Sequence, residues 1–307
     1  MKRILILTAA LLASTSHVRA EALVALTATN QLITFDSATP GTLGSTVTIN
    51  GLAPGDALVG IDVRPANNAL YGFAVDTAAG GAAAGVGRIY SIDAASGVAT
   101  LSATLAADPA DAAPPTPYTS ITGSFFGVDF NPVADRLRVV SDSGLNLRIN
   151  VTTGLTQLDG AIAYAAGDAN AGTPAQIYAS AYTNSVAGAA STTLYNLDGS
   201  IGALVTQNPP NNGTLNTVAL ASLAIFSDAA FDISGQSGVG YVVLDGATLS
   251  TINLATGDVT QLGGIGTVGA ISDIAVLAIP EPAAVCLAVL SLSAIISMRR
   301  QSRPAIT

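Results

Sequence analysis

The sequence predicts an all-β, β-propeller-like protein of about five blades, with six possible if one blade is irregular. Three observations lead to this fold class. Similar hairpin motifs recur at intervals of about fifty residues, most follow another strand pair, and continuous helical periodicity is absent from residues 21–279. Repeats of this length, made of short strands, are typical of propeller blades.

Each predicted hairpin has two apolar strands joined by a turn that opens with Asp or Asn and ends with Gly. In IYSIDAASGVATL, the turn opens at Asp93 and ends at Gly97. The side-chain oxygen of the first residue can accept a backbone hydrogen bond within the turn, and glycine accepts the left-handed conformation that ends it. The turn-opening residues are Asp36, Asp93, Asn150, Asp198 and Asn253.

A second strand pair precedes most hairpins and carries an aspartate at the same place in each repeat. The segments that begin GIDVRP and GVDFNP align, and two later segments match them; the aspartates are Asp62, Asp129, Asp232 and Asp273. The fourth unit offers only one clear strand, QIYASAYT, before its hairpin, which indicates an irregular blade.

The first repeat, residues 23–50, lacks its leading strand, whereas the last segment, AISDIAVLAI, has no hairpin after it. We therefore predict that residues 270–279 complete the first blade and close the ring. Closure of this kind removes the exposed sheet edge that an open array of blades would leave.

The N-terminal residues 1–20 have the pattern of a secretory signal peptide. Lys2 and Arg3 precede a short apolar run, and small residues lead to Ala20, after which we expect cleavage. The apolar run is too short to span a bilayer as an uncleaved anchor. Residues 21–279 are then the exported β-propeller-like domain.

The C-terminal residues 280–303 form a tripartite segment: a Pro-Glu-Pro motif, an apolar stretch and an arginine cluster. Its defining residues are Pro280, Glu281, Pro282, Arg299 and Arg300. An apolar helix before a basic cluster can insert into a membrane, here transiently. The order of the three parts resembles the PEP-CTERM sorting signal. The resemblance implies a Gram-negative bacterium, processing by an exosortase-type protease, and release to the cell surface or the extracellular matrix; an ordinary membrane anchor is the alternative.

The composition of residues 21–279 excludes several kinds of chemistry. This range contains no Lys, His, Cys or Trp, and its five arginines face nineteen acidic residues, for a net charge of −14. Ser-His-Asp triads, thiol nucleophiles, Schiff-base lysines and His- or Cys-ligated metals are therefore impossible in it. Nucleic acid is not an expected partner, because phosphate binding needs clustered Lys and Arg.

Oxygen ligands remain available for a metal. The repeat would place Asp62, Asp129, Asp232 and Asp273 at similar height around a central channel, where Ca²⁺ could join the repelling carboxylates. Alternatively, each aspartate ends its strand and bonds the turn that follows it. No other cofactor is expected.

Three arginines of one blade form a second candidate group. Arg136 and Arg138 share one face of a strand, and Arg148 follows on the next strand. They could bind an acidic sugar or a carboxylate ligand, or pair with neighbours such as Asp135 and Asp142.

Several motifs in order, namely GIDVRP, GVDFNP, DRLRVVSDSGLNLRINVTTG, LYNLDG and QNPPNNGTLNTV, resemble an uncharacterised bacterial secreted family that is defined only as a domain of unknown function, number 4394. Members often carry the PEP-CTERM tail. The resemblance implies a propeller-like fold and an extracytoplasmic setting, and it implies no catalytic residue and no substrate.

We therefore expect a secreted, non-catalytic binding or structural protein of the cell envelope or the extracellular polysaccharide matrix, with polysaccharide or an envelope protein as partner. The alternative is an extracellular enzyme that uses Asp carboxylates, with or without Ca²⁺, on a glycan or lactone. Convergent carboxylates with shifted pKa values in a concave site would favour the enzyme, and a flat face would favour the other role.

Overall fold

The computed structural model describes residues 20–76, 85–111, 117–220, 229–266 and 269–277. Within these ranges, twenty-two β-strands form five sheets, and the only helical element is a 3-10 turn at Pro210–Asn212. None of the described helical structure is long and apolar enough to cross a membrane. The predicted all-β, five-bladed propeller is confirmed.

In chain order, the strands are β1 (Ala22–Thr27), β2 (Gln31–Asp36), β3 (Leu43–Thr48), β4 (Asp56–Arg64), β5 (Ala69–Asp76), β6 (Gly87–Ile92), β7 (Ala99–Thr104), β8 (Ala106–Ala107), β9 (Phe126–Asn131), β10 (Arg136–Ser141), β11 (Asn146–Ile149), β12 (Leu155–Leu158), β13 (Ala163–Tyr164), β14 (Ile177–Tyr182), β15 (Leu194–Asp198), β16 (Ala203–Gln207), β17 (Thr214–Leu220), β18 (Ala230–Ile233), β19 (Gly240–Val243), β20 (Thr248–Ile252), β21 (Val259–Gly264) and β22 (Ile271–Val276).

Each blade has four antiparallel strands, ordered from the centre of the ring outwards. Blade 1 is β22-β1-β2-β3, blade 2 is β4 to β7, blade 3 is β9 to β12, blade 4 is β14 to β17, and blade 5 is β18 to β21. The short strands β8 and β13 add to the outer edges of blades 3 and 4 in parallel. The innermost strands contact one another in the cyclic order β4, β9, β14, β18 and β22.

The C-terminal strand closes the ring as the sequence predicts. β22 pairs antiparallel with β1, from Leu23 opposite Val276 to Leu26 opposite Asp273. Because β22 also packs against the innermost strands of blades 2 and 5, the two ends of the domain hold the first and last blades together. The prediction is confirmed for the described part of the segment 270–279.

The predicted turn chemistry is present in all five hairpins. In each turn, the opening side chain accepts a hydrogen bond at 2.7–3.0 Å from the backbone N–H two residues on; the residues are Asp36, Asp93, Asn150, Asp198 and Asn253. Gly97 ends the blade 2 turn with φ +73°, and a Cβ added there would lie 2.4 Å from the backbone oxygen of Thr48. Glycine thus allows both the turn and the close approach of blade 1.

Blade 4 departs from the predicted repeat. The hairpin that opens at Asp198 joins the second and third strands of its blade, whereas the other hairpins join the third and fourth. The third and fourth strands of blade 4 are joined instead by residues 208–213, which include the 3-10 turn. Asp198 is buried and accepts a hydrogen bond from the Tyr164 hydroxyl at 2.6 Å. The turn at Asp198 therefore has the predicted chemistry but a different place in its blade from the turn at Asp93, because an Asp-Gly turn signal does not specify which two strands it joins.

The apolar core lies between neighbouring blades. Blades 2 and 3 meet through two edge-to-face aromatic pairs, Tyr71 with Phe130 at 5.5 Å and Phe73 with Phe126 at 6.1 Å between ring centroids. Strands whose two faces both pack against other blades are buried on both sides, which explains why β10, β14 and β19 have nearly continuous buried side chains.

Candidate functional site

The four aspartates predicted from the repeat lie at the centre of the ring. Asp62 is on β4, Asp129 on β9, Asp232 on β18 and Asp273 on β22, which are four of the five innermost strands. The fifth, β14, has the sequence IYASAY and carries no aspartate. The four side chains are buried, with residue exposures of 1–7%.

Two of these aspartates show how the ring is joined at its centre. Asp62 accepts the N–H of Val63 at 2.6 Å and the N–H of Phe130, in blade 3, at 2.7 Å. Asp273 accepts the N–H of Ile61, in blade 2, at 2.7 Å. Each carboxylate thus connects its own innermost strand to that of the next blade.

The other two aspartates also face the neighbouring blade. Asp232 accepts the N–H of Ile233 at 2.6 Å and the N–H of Val276, in blade 1, at 2.5 Å. The backbone N–H of Tyr182, in blade 4, lies close enough to Asp129 to act against the rise in the pKa of its carboxyl. The described hydrogen bonds of this kind therefore join blades 1 to 2, 2 to 3 and 5 to 1. They go to neighbouring strands rather than to the turns that the alternative interpretation of these aspartates named.

Three of the four carboxylates converge. Asp62, Asp129 and Asp232 each offer one oxygen, and these oxygens lie within 4.8 Å of one another. All five arginines of residues 21–279 have hydrogen-bond partners outside this cluster. These three residues are the described group whose oxygens could hold a metal ion.

The environment of the cluster disfavours ionised carboxylates. Burial, together with repulsion from neighbouring aspartates, raises the pKa of Asp62 and of Asp129 well above its usual value. Burial also raises the pKa of Asp232 to about 6. Burial limits the solvation of these charges, and no arginine among the described contacts offsets them.

One oxygen of the cluster has no hydrogen-bond partner among the described residues: Oδ1 of Asp129. In Asp62, Asp232 and Asp273, the corresponding oxygen accepts the N–H of the following residue. In blade 3, that N–H belongs to Phe130 and donates to Asp62 instead.

A small cavity lies beside the cluster. Its volume is about 180 Å³, and its lining includes Asp62, Asp232, Asn68, Ser234 and Gln236. Small-molecule sites in proteins usually have volumes of about 300–1,000 Å³. The cavity therefore suits an ion with its waters better than a sugar ring.

The arginines of blade 3 form a buried polar network. Arg138 is buried and donates to Asp159 at 2.6 Å, to Asn146 at 2.8 Å and to Asn211 at 2.8 Å. Arg148 donates twice to the same Asp159 carboxylate, at 2.6 and 2.9 Å. Two guanidinium groups thus share one carboxylate and join blade 3 to the turn of blade 4.

The carboxylates of Asp135 and Asp142, named from sequence, are not the partners of Arg138 and Arg148, although Arg136 donates to the backbone oxygen of Asp135 at 3.0 Å. Asp135 pairs with Arg64 of blade 2 through two bonds, at 2.7 and 2.5 Å, and these bonds hold the pKa of Asp135 below its usual value. Asp142 accepts the backbone N–H of Ser124 at 2.8 Å. Proximity along the chain suggested Asp135 and Asp142, whereas the folded sheet brings in Asp159.

Glu21 forms a link between blades that the sequence reasoning missed. Its Oε1 accepts the Ser234 hydroxyl at 2.5 Å, and its Oε2 accepts the hydroxyls of Tyr241 at 2.8 Å and Ser237 at 3.0 Å. Its backbone N–H donates to Ser37 Oγ at 2.9 Å. The available signal was its position: it is the only glutamate of residues 21–279 and directly precedes the first strand.

The residues predicted for targeting fall almost entirely outside the described ranges. These are residues 1–19 and the sorting residues Pro280, Glu281, Pro282, Arg299 and Arg300. Ala20 is described and is exposed, whereas Glu21 beside it is buried.

Solved structures similar to this chain have low sequence identity to it. A chain from a nidogen/laminin complex is 10% identical with a TM-score of 0.47, over 84% of this chain and 98% of that one. A structural genomics protein of unknown function from Bacteroides thetaiotaomicron is 14% identical with a TM-score of 0.47, over 82% of this chain and 63% of that one. A Lactobacillus plantarum protein is 15% identical with a TM-score of 0.39, over 81% and 68% of the two chains.

None of the curated proteins compared with this chain matches it significantly. One family model does match, over residues 31–275, which include most of the five blades and the four central aspartates. The sequence motifs had indicated the same family. The chain therefore belongs to the family described as Domain of unknown function (DUF4394).

Proposed function

We propose that this chain is an exported, non-catalytic binding or structural protein of the cell envelope or the extracellular polysaccharide matrix. The observation that carries this proposal is that the carboxylates at the centre of the ring accept backbone hydrogen bonds. Those of Asp62, Asp232 and Asp273 accept backbone N–H groups of their own and neighbouring blades. A catalytic carboxylate must reach the substrate, whereas these are buried and connect strands.

The partner in this proposal is a polysaccharide or an envelope protein that contacts the outside of the ring. A groove of about 890 Å³ on blade 5 supports it, since this volume lies within the range of about 300–1,000 Å³ usual for ligand sites. The groove combines apolar side chains, Leu254 and Leu262, with polar ones, Asn253, Asp258 and Thr260. Leu262 is among the exposed large apolar residues.

The route of the protein in this proposal is export, followed by processing at both ends. A signal peptide of residues 1–20 is removed, and an exosortase-type protease acts on residues 280–303 after their transient insertion into the membrane of a Gram-negative bacterium. The exposure of Ala20 and the burial of Glu21 support the first step, because cleavage between them would leave the fold intact. Mass spectrometry of the protein from its own host tests both steps by giving the two mature termini.

The alternative function is an extracellular enzyme that acts on a glycan or lactone through aspartates. One observation favours it: Asp232 lines a cavity, and burial raises the pKa of Asp232 to about 6, within the range suited to a general acid. The small volume of that cavity, about 180 Å³, favours the non-catalytic role.

The experiment that decides between the two functions uses the exopolysaccharide of the host. The protein, purified as exported, is passed over the immobilised polysaccharide, and both retention and new reducing ends are measured. We expect retention without cleavage. Asp93→Asn, a variant in an exposed turn, is the control. If new reducing ends form with the wild type and with Asp93→Asn but not with Asp232→Asn, the non-catalytic proposal is wrong and the protein is an enzyme.

A further inference from the structure

We propose that the centre of the ring binds a divalent cation, best matched by Ca²⁺, through the carboxylates of Asp62, Asp129 and Asp232. This site goes beyond the proposed function and does not rest on it. The cation would serve the fold by joining three blades, whatever the partner on the outside of the ring.

The spacing of the oxygens carries the first step. The three carboxylates each place an oxygen within 4.8 Å of the others. Oxygens bound to one Ca²⁺ at about 2.3–2.6 Å can lie up to roughly 5 Å apart, on opposite sides of the ion. One Ca²⁺ can therefore contact all three side chains with little movement.

The second and independent observation is the unpartnered oxygen. Oδ1 of Asp129 is buried and lacks a hydrogen-bond partner among the described residues. Native structures seldom leave a buried polar atom unsatisfied without a bound water, ion or ligand, because such an atom has lost its hydration and gained nothing in return. This oxygen belongs to one of the three converging carboxylates, so a cation bound among them could coordinate it.

The charge of the site points to a divalent ion. Three carboxylates meet there, and the carboxylate of Asp273 is close enough to repel those of Asp62 and Asp129. Buried like charges at this distance are stable only with protons or with cations between them. A doubly charged ion offsets the repulsion better than a singly charged one.

The remaining coordination positions have room and ligands. The cavity of about 180 Å³ reaches Asp62 and Asp232 and has space for bound waters, and Ca²⁺ usually takes six to eight oxygen ligands. Each bonded oxygen of Asp62 and Asp232 accepts one N–H and keeps a second lone pair. Because these bonds fix the oxygens in place, Ca²⁺, which accepts irregular geometry, fits better than Mg²⁺, which demands a near-ideal octahedron.

The test measures bound ion and thermal stability in the whole protein, purified as exported and treated with a chelator. Equilibrium dialysis against Ca²⁺ should find one ion per wild-type chain, and millimolar Ca²⁺ should raise Tm more than Mg²⁺ at the same ionic strength. Asp129→Asn should bind Ca²⁺ at least tenfold more weakly. Asp93→Asn, a change in an exposed turn, should bind Ca²⁺ as the wild type does.

The same variant supplies a second, opposite readout. In Asp129→Asn, the amide nitrogen takes the place of the unpartnered oxygen and can donate a hydrogen bond to the nearby carboxylates. Without Ca²⁺, its Tm should therefore be higher than that of the wild type, whereas in Ca²⁺ the order should reverse. No bound ion in the wild type, or equal Ca²⁺ affinity in the wild type and Asp129→Asn, would overturn the proposal.

Discussion

Replacing Glu21 with alanine should lower the free energy of unfolding substantially, although Glu21 lies at the very start of the domain, because its side chain joins blades 1 and 5. The carboxylate accepts three hydroxyls, from Ser234, Ser237 and Tyr241. Glu21 itself, Ser234 and Tyr241 are buried, with exposures of 0–3%. Glu21→Ala leaves the two buried hydroxyls without their acceptor and gives water little access to replace it.

The structure sets the size of the effect. Each buried polar group that loses its partner costs about 1–3 kcal/mol, so two hydroxyls cost about 2–6 kcal/mol of the free energy of unfolding. For a domain of this size, each kcal/mol changes Tm by about 2–4 °C, so Tm should fall by roughly 10 °C. Glu21→Gln keeps one acceptor oxygen and should lose less than half as much.

The assay is chemical and thermal unfolding of the wild type, Glu21→Gln, Glu21→Ala, Tyr241→Phe and the double variant Glu21→Ala with Tyr241→Phe, after mass spectrometry has confirmed the same N-terminus in each. Removing the Tyr241 hydroxyl should cost the wild type stability but cost the Glu21→Ala variant nothing, because its partner is already gone. A Glu21→Ala protein within about 0.5 kcal/mol of the wild type, or additive losses in the double variant, would refute the reasoning.

Three further predictions follow from the contacts between blades. In denaturant unfolding, Gly127→Ala should destabilise the protein by about 1–3 kcal/mol, since the new Cβ would lie 2.0 Å from Ser180 Oγ. Gly167→Ala, whose new Cβ would have nothing within 4 Å, should be neutral, and equal effects of the two changes would contradict the packing of blades 3 and 4. Asp159→Ala should cost about 3–5 kcal/mol in the same assay, because it removes the carboxylate that offsets the charges of both Arg138 and Arg148. A loss below about 1 kcal/mol would contradict their network. In the presence of a chelator, Tm should rise as the pH falls from 7 towards 5. The pKa of Asp232 is about 6 in the folded protein, against an ordinary value of 3.8, so the folded state binds the proton more tightly than the unfolded state does. A fall in Tm over this pH range would contradict the predicted direction.

The sequence was sufficient for the arrangement of the blades because each blade repeats the same strand order. A repeat fixes which strand is innermost, and so the aspartates of four innermost strands could be named before the ring was seen. The closing strand was recognised in the same way, since the first repeat lacked its leading strand and the last segment of the domain was a leading strand with no hairpin after it.

Contacts between blades were harder to predict because they depend on how loops approach each other in space. The partner of Arg138 and Arg148 is Asp159, which follows the last strand of their own blade, and the sequence gives it no distinguishing feature. The hairpin at Asp198 was misplaced within blade 4 for a related reason. Its turn residues specify a tight connection, and only the pairing of β14 with β15 shows which strands it connects.

The role of the aspartates was also open from sequence, because a matching position does not fix what a carboxylate accepts. Hydrogen bonds from one blade to the next depend on the relative height of innermost strands, which follows from packing across the ring. The orphaned oxygen of Asp129 arises because the Phe130 N–H donates to the aspartate of the preceding blade, Asp62. No local pattern around Asp129 could have indicated it.

The measurement that tests the account most directly is a crystal structure of the protein grown in Ca²⁺. Because the three aspartates belong to different blades, only a ring closed as described brings their oxygens together. The account predicts one anomalous peak on the axis of the ring, at about 2.3–2.6 Å from oxygens of Asp62, Asp129 and Asp232. Well-ordered carboxylates in these positions with no ion between them, or innermost strands that hold the three aspartates apart, would contradict it.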